Sequence, residues 1–220
     1  MGDIFNILVT GVGGQGIVLI GDILRAYGLK SSAIQNVVGT ETRGVAQREG
    51  SVIAAVRYLI DTKIYSLGDK FDVDELISPL IPTNDAHMVL GLEPLETLRN
   101  LRYISKQTVV ILNTHNHYPK NLIFNSKNDK IEKQKIPSNT DTIDLLNQFA
   151  RKVIALNFNE FSSIKLESSI YSNIIALGVA VKEFRELFDK SLFLEVLTDF
   201  FEDSKKDLDA FELGYDLIKD

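Results

Sequence analysis

Apolar positions along this chain fall into two alternating rhythms. Short, β-rich runs bounded by glycine or polar residues occur at 5–10, 33–38, 51–58, 87–92, 108–113 and 153–158, and they read as strands. Between and after them the spacing becomes helical. Ile17, Ile20, Leu24 and Tyr27 recur along one face, and Leu95, Leu98 and Leu101 do the same after Pro94, a residue suited to a helix's first turn. Capping residues open a helical pattern over 140–150, and further helices are expected over 168–188, 191–201 and 205–218. The expected fold is α/β: a mainly parallel, Rossmann-like sheet with helices on both faces and a helical C-terminal segment at 168–218. The run 5–10 is expected at the centre of the sheet. A short hairpin partner at 63–66, turning at Asp61 and Thr62, is the expected antiparallel exception. One domain over 1–220 accounts for the length.

The stretch 174–181 is almost entirely apolar, which predicts a helix buried on most sides, within the domain or against another chain. Gly178 in its middle predicts close helix packing. The Lys- and Asn-rich stretch 121–139 is expected at the periphery.

Composition narrows the function. A net charge of −6 with 25% charged residues describes an acidic protein, not a nucleic-acid binder. There is no cysteine, which excludes disulfides, thiolate zinc sites, a cysteine nucleophile and Cys-ligated iron–sulfur clusters within this chain. No run is long and apolar enough to span a bilayer and no signal-peptide pattern opens the chain, so a cytoplasmic protein without membrane contact is expected.

The candidate chemistry centres on Gly11-Val12-Gly13-Gly14-Gln15-Gly16, placed between the first strand and the first helix. Glycines let the chain turn sharply and let an anion approach the free amides at a helix N-terminus. A dinucleotide site also needs an acidic residue at the end of the next strand. The run 33–38 ends without one, and Glu41 is expected in a loop. The same glycines also fit a plain tight turn with no ligand. The polar stretch 39–50 is expected as a rim loop, from which Arg43 and Arg48 can reach an anion at the glycines while Gln47 orients it. Equally, the two arginines can simply pair with Glu41 and Glu49. Glu93 is expected to close the far side of that crevice. His115 and His117 are two imidazoles with no third ligand in view, Pro119 argues for a loop there, and His87 is expected at a rim. No catalytic residue and no metal ligand is assigned.

Five segments in order carry a family resemblance. They are the glycine stretch 11–16, the block Arg43-Gly44-Val45-Ala46-Gln47-Arg48-Glu49-Gly50-Ser51-Val52, Leu92-Glu93-Pro94-Leu95-Glu96, Asn173-Ile174-Ile175-Ala176-Leu177-Gly178, and Ala210-Phe211-Glu212-Leu213-Gly214-Tyr215. Together they resemble the gamma-type component of the 2-oxoacid:ferredoxin oxidoreductases, most closely the small (beta) subunits of the indolepyruvate ferredoxin oxidoreductases. Glu49 departs from the pattern, since many relatives have a second glycine there. The resemblance implies oxidative decarboxylation of an aryl 2-oxoacid to its acyl-CoA, with electrons passed to ferredoxin. It also implies that a larger partner carries thiamine diphosphate and 4Fe–4S clusters, because this chain has neither cysteines nor a thiamine motif. What remains here is an α/β component, inactive alone, with a possible coenzyme A contact at Gly11, Gly13, Gly14, Gln15, Gly16, Arg43, Gln47, Arg48 and Glu93. Readings from other classes are a free-standing nucleotide-binding module, a structural docking protein, or the gamma subunit of a pyruvate or 2-oxoglutarate enzyme.

Overall fold

The computed structural model describes residues 2–44, 50–61, 78–117, 137–202 and 205–219. Six strands form one sheet: β1 (Gly2–Val12), β2 (Ile34–Arg43), β3 (Ser51–Asp61), β4 (Met88–Gly91), β5 (Val109–Asn113) and β6 (Lys152–Leu156), in the order β2-β3-β1-β4-β5-β6. β1 is central, as its mostly apolar and fully buried run requires. Phe5, Ile7 and Val9 face one layer, and Leu8 faces the other between the polar side chains of Asn6 and Thr10. The pairs β1–β4, β4–β5 and β5–β6 are parallel.

The antiparallel element differs from the one expected. β3 itself runs against both β1 and β2, with Ile7 opposite Val56 and Thr40 opposite Ala55. Five strands therefore point one way and β3 the other. The proposed partner at 63–66 lies outside the described residues, as do positions 121–136 of the stretch expected at the periphery. β2 also runs further than its apolar core suggested, through Arg43, so Glu41 is a strand residue rather than a loop residue. As an edge strand, β2 can carry polar side chains without ending.

Helices cover both faces. On one side α2 (Pro94–Arg99) and α3 (Asn139–Phe149) pack over Leu8, Val89, Val110 and Leu112. On the other, α1 (Ile17–Lys30), α5 (Ser172–Glu183), α6 (Lys190–Phe200) and α7 (Lys205–Asp216) share the larger core with Phe5, Ile7, Val56, Tyr58 and Ile111. Tyr27 lies at the heart of this layer, its ring stacked 4.0 Å from Phe193 and edge-on to Phe188. Its buried hydroxyl accepts from the Asp189 amide at 2.9 Å. An extra helix, α4 (Phe158–Leu166), begins where the sequence pattern suggested the last strand still ran. No helix among the described residues is long and apolar enough to cross a membrane.

Every residue from Asn173 to Val181 is buried, and the wall that buries one side of α5 is α7. The two helices meet backbone to backbone. A Cβ on Gly178 would stand 2.2 Å from the Phe211 carbonyl oxygen, and one on Gly214 would stand 2.0 Å from that of Ile175. Neither backbone can step aside. We therefore expect Gly178→Ala to lower the unfolding free energy by about 2 kcal/mol, because overpacking outweighs the roughly 1 kcal/mol that alanine gains in helix propensity. Urea denaturation checks this, and a raised midpoint would contradict it.

Candidate functional site

The C-terminal ends of the parallel strands gather at one rim, and the glycine turn sits there. β1 is the strand at which the chain order reverses, with β3 and β2 on one side and β4 to β6 on the other. In open α/β sheets ligands bind in such crevices. The turn is built by the glycines. Gly14 and Gly16 hold φ of 97° and 80°, left-handed values that L side chains adopt only with strain. The Gly13 amide donates to the Gly50 carbonyl (2.9 Å), tying the turn to β3. Gln15 folds back: its Oε1 accepts from the Val12 amide (2.9 Å) and its Nε2 donates to the Leu92 carbonyl (3.3 Å). Gly11 gives Gln15 room, since a Cβ there would lie 2.5 Å from Oε1. Gln15 thus braces the turn against the end of β4.

Two crevices flank the turn and share Gly13, Gly14, Gly16 and Leu19. The first, about 520 Å³, runs along the start of α1 to Arg43, Gly44 and Ser51. Gly16 is the N-cap of α1 and has no side chain to close it, so the first-turn amides lack a side-chain cap. The Arg43 side chain is 67% exposed, with Glu41 3.5 Å away. The ion pair weighed from sequence therefore exists, and it leaves the guanidinium largely open to solvent. Glu41 also accepts from Arg25 at 3.0 Å. Gln47, Arg48 and Glu49 lie outside the described residues.

The second crevice, about 550 Å³, lies on the β4–β5 side and is lined by Gln15, Leu92, Asn113, His115, His117, Asn159, Ser169, Ile170, Ser172 and Asn173. Asn113 organises it. Its Nδ2 donates to the Leu92 carbonyl (3.3 Å) and to Asn159 Oδ1 (2.7 Å), and its Oδ1 accepts from the amides of Phe158 (3.1 Å) and His115 (3.3 Å). One buried amide thus joins the ends of β4 and β5 to the start of α4. His115 and His117 both face this crevice. Among the described residues no group of three or more His, Cys, Asp or Glu is placed to hold a metal.

Glu93 takes a different place from the one expected. It does not line the described wall of either crevice. It is 4% exposed and caps α2, its Oε2 accepting from the Glu96 amide at 2.7 Å. Burial pushes its carboxyl above the usual range, and the neighbouring Glu96 carboxylate acts in the same sense. Hydrogen bonds from the Glu96, His117 and Leu95 amides pull it back. Glu93 therefore anchors the loop that carries His117. His87, at the opposite end of β4, accepts from the Asn6 amide through Nδ1 (3.0 Å) and stacks on Phe5.

Asn113, Asn159, Ser169, Ser172 and Asn173 were not picked out as site residues by sequence reasoning. The available signals were a polar residue ending the apolar run 108–112 and, for Asn173, its place at the head of a segment that carries the family resemblance. The others reach the site from distant segments.

A mixed α/β sheet with an uncapped glycine turn at its switch point defines a Rossmann-like fold. The chain belongs to the pyruvate ferredoxin/flavodoxin oxidoreductase family, whose model matches residues 6–217. It is 29% identical over 212 residues to indolepyruvate oxidoreductase subunit IorB of Archaeoglobus fulgidus, a match spanning 96% of this chain and 93% of that protein. The IorB protein of Methanothermobacter thermautotrophicus is 32% identical over 176 residues, spanning 80% and 77%. Among solved structures, pyruvate oxidoreductase subunit PORC of Thermotoga maritima shares the fold at a TM-score of 0.65 and 13% identity, covering 98% of this chain and 97% of that one. A 2-oxoglutarate:ferredoxin oxidoreductase of Magnetococcus marinus, solved with 2-oxoglutarate, coenzyme A and succinyl-CoA bound, shares it at 0.61 and 20% identity. That match covers 96% of this chain and 30% of that one.

The two left-handed glycines give a direct test of this geometry. A Cβ on Gly14 would meet nothing within 4 Å, whereas one on Gly16 would lie 2.1 Å from Asn173 Nδ2. Alanine at either site costs about 1–2 kcal/mol from the backbone alone. Gly16→Ala should cost measurably more than Gly14→Ala in urea denaturation, and the excess should shrink in an Asn173→Ala background. Equal costs in both backgrounds would contradict the contact.

Proposed function

We propose that this chain is the small subunit of a cytoplasmic indolepyruvate ferredoxin oxidoreductase. The complex converts an aryl 2-oxoacid and coenzyme A to the acyl-CoA and carbon dioxide, passing two electrons to ferredoxin. The observation that carries this reading is the match to IorB proteins along nearly the whole chain. The 220 residues contain no cysteine, so a Cys-ligated cluster does not fit this chain, and the redox chemistry belongs to a larger partner that holds thiamine diphosphate and the clusters.

The role left to this chain is binding. A phosphate of coenzyme A fits the first crevice: the amides opening α1 and their partial positive charge face it, and the exposed Arg43 guanidinium stands on its rim. Gly11, Gly13, Gly14 and Gly16 allow the close approach, and Gln15 holds the turn in shape. Arg48 adds a second cation from the same connection, and Gln47 orients the bound group. Glu93 contributes by anchoring rather than by contact.

Reconstitution tests the assignment. The chain alone should give no indolepyruvate-dependent dye reduction, and adding the large subunit should restore it. In the reconstituted complex Arg43→Ala should raise KM for coenzyme A about tenfold and leave KM for the oxoacid nearly unchanged, in line with losing one hydrogen bond to a charged group, about 1.5–3 kcal/mol. Turnover by the isolated chain would overturn the subunit reading. An intact complex with both constants unchanged would remove coenzyme A from this crevice.

A further inference from the structure

The Arg43 guanidinium at the rim of the first crevice does not stand there unaided. Gly39, Glu41 and Arg43 alternate along the edge strand β2, so all three share one face of it. Arg25 of α1 lies across that face. Gly39 makes the room, since a Cβ there would stand 2.8 Å from Arg25 Cδ and 3.1 Å from its Nη1. Stretched over the glycine, Arg25 donates from Nη2 to Glu41 Oε1 at 3.0 Å. The same nitrogen pairs with Asp22, three residues earlier on α1.

Glu41 is therefore shared between two arginines. Oε1 is held by Arg25, and Oε2 faces Arg43 Nη2 at 3.5 Å. Charges alternate along the row Asp22, Arg25, Glu41, Arg43, which leads from the body of α1 to the crevice rim. The inner pair is the firmer one: the Arg25 and Glu41 side chains are 28% and 22% exposed, and Arg43 is the open end. A carboxylate fixed by one arginine can restrain a second. A long side chain restrained before its ligand arrives loses less rotamer freedom on binding. Glu41 engages one nitrogen of a guanidinium that carries five N–H donors, which leaves others for an oxyanion.

We propose that Glu41 is a positioning residue for Arg43, itself held in place by Arg25 across Gly39. The consequence for substrate binding rests on the coenzyme A reading of the first crevice, whereas the restraint on Arg43 is independent of it. The row joins the second half of α1 to the rim, so a substitution at Arg25 is felt at Arg43 through Glu41.

Side-chain Nε–Hε NMR on the full-length chain reads the restraint directly. The heteronuclear NOE of Arg43 should fall in Glu41→Ala, and it should fall again in Arg25→Met, where the change is one step further along the row. Arg43 as ordered in either variant as in the wild-type chain would overturn the proposal. In the reconstituted complex Glu41→Ala should raise KM for coenzyme A about threefold, the size an exposed ion pair allows, and leave KM for the oxoacid nearly unchanged. Glu41→Gln keeps an acceptor for both arginines and should recover part of that loss. In an Arg43→Ala background Glu41→Ala should raise KM no further, as holds when one residue acts through the other. An undiminished effect in that background would overturn the proposal, and so would a KM lowered by removing the Glu41 charge. If Arg43→Ala itself leaves KM for coenzyme A unchanged, the coenzyme A reading fails instead, and the order of Arg43 in the two variants decides the proposal alone.

Discussion

Gly16 turns the chain at φ 80°, and the Asn173 side chain sits where its Cβ would be. This contact joins the glycine turn at the end of the central strand to a helix that begins more than 150 residues later in the chain. It constrains both partners. The turn must be glycine, in a conformation L residues resist, and α5 must seat with its first turn against the start of α1. α5 in turn holds its place because Gly178 and Gly214 let α7 press against it backbone to backbone. The shape of the rim is thus fixed from the large core outward, through contacts that tolerate no added methyl group.

The division of labour around the turn follows from its neighbours. On the β3 side the wall is strand and arginine, open to solvent. On the β4–β5 side the wall is asparagine, serine and histidine held by the four hydrogen bonds of Asn113. Among the described residues no group of three or more His, Cys, Asp or Glu is placed to hold a metal on either side.

Much of this was legible in the residues. β1 could be placed at the centre because its apolar positions serve two cores. The buried helix, and the tight packing at Gly178, followed from a run with no polar face. The direction of β3 could not be read, because a strand buried on both faces carries the same apolar residues whichever way it runs. The polar end of β2 looked like a loop because an edge strand need not bury its side chains. Glu93 looked like a site residue because capping and ligand binding both call for a carboxylate at that position. In the structure it is buried and accepts from the Glu96 amide as the cap of α2. Asn113, Asn159 and Asn173 could not be grouped in advance, since only the sheet order brings them together.

In the function we propose, the glycine turn and Arg43 form a coenzyme A contact on a subunit that does no redox chemistry itself. A cryo-electron microscopy map of the assembled two-subunit complex with coenzyme A bound tests it most directly. A phosphate of coenzyme A is expected within hydrogen-bonding distance of the amides that open α1, with the Arg43 guanidinium beside it. Coenzyme A bound elsewhere, with the turn covered by a loop of the larger subunit, would contradict it.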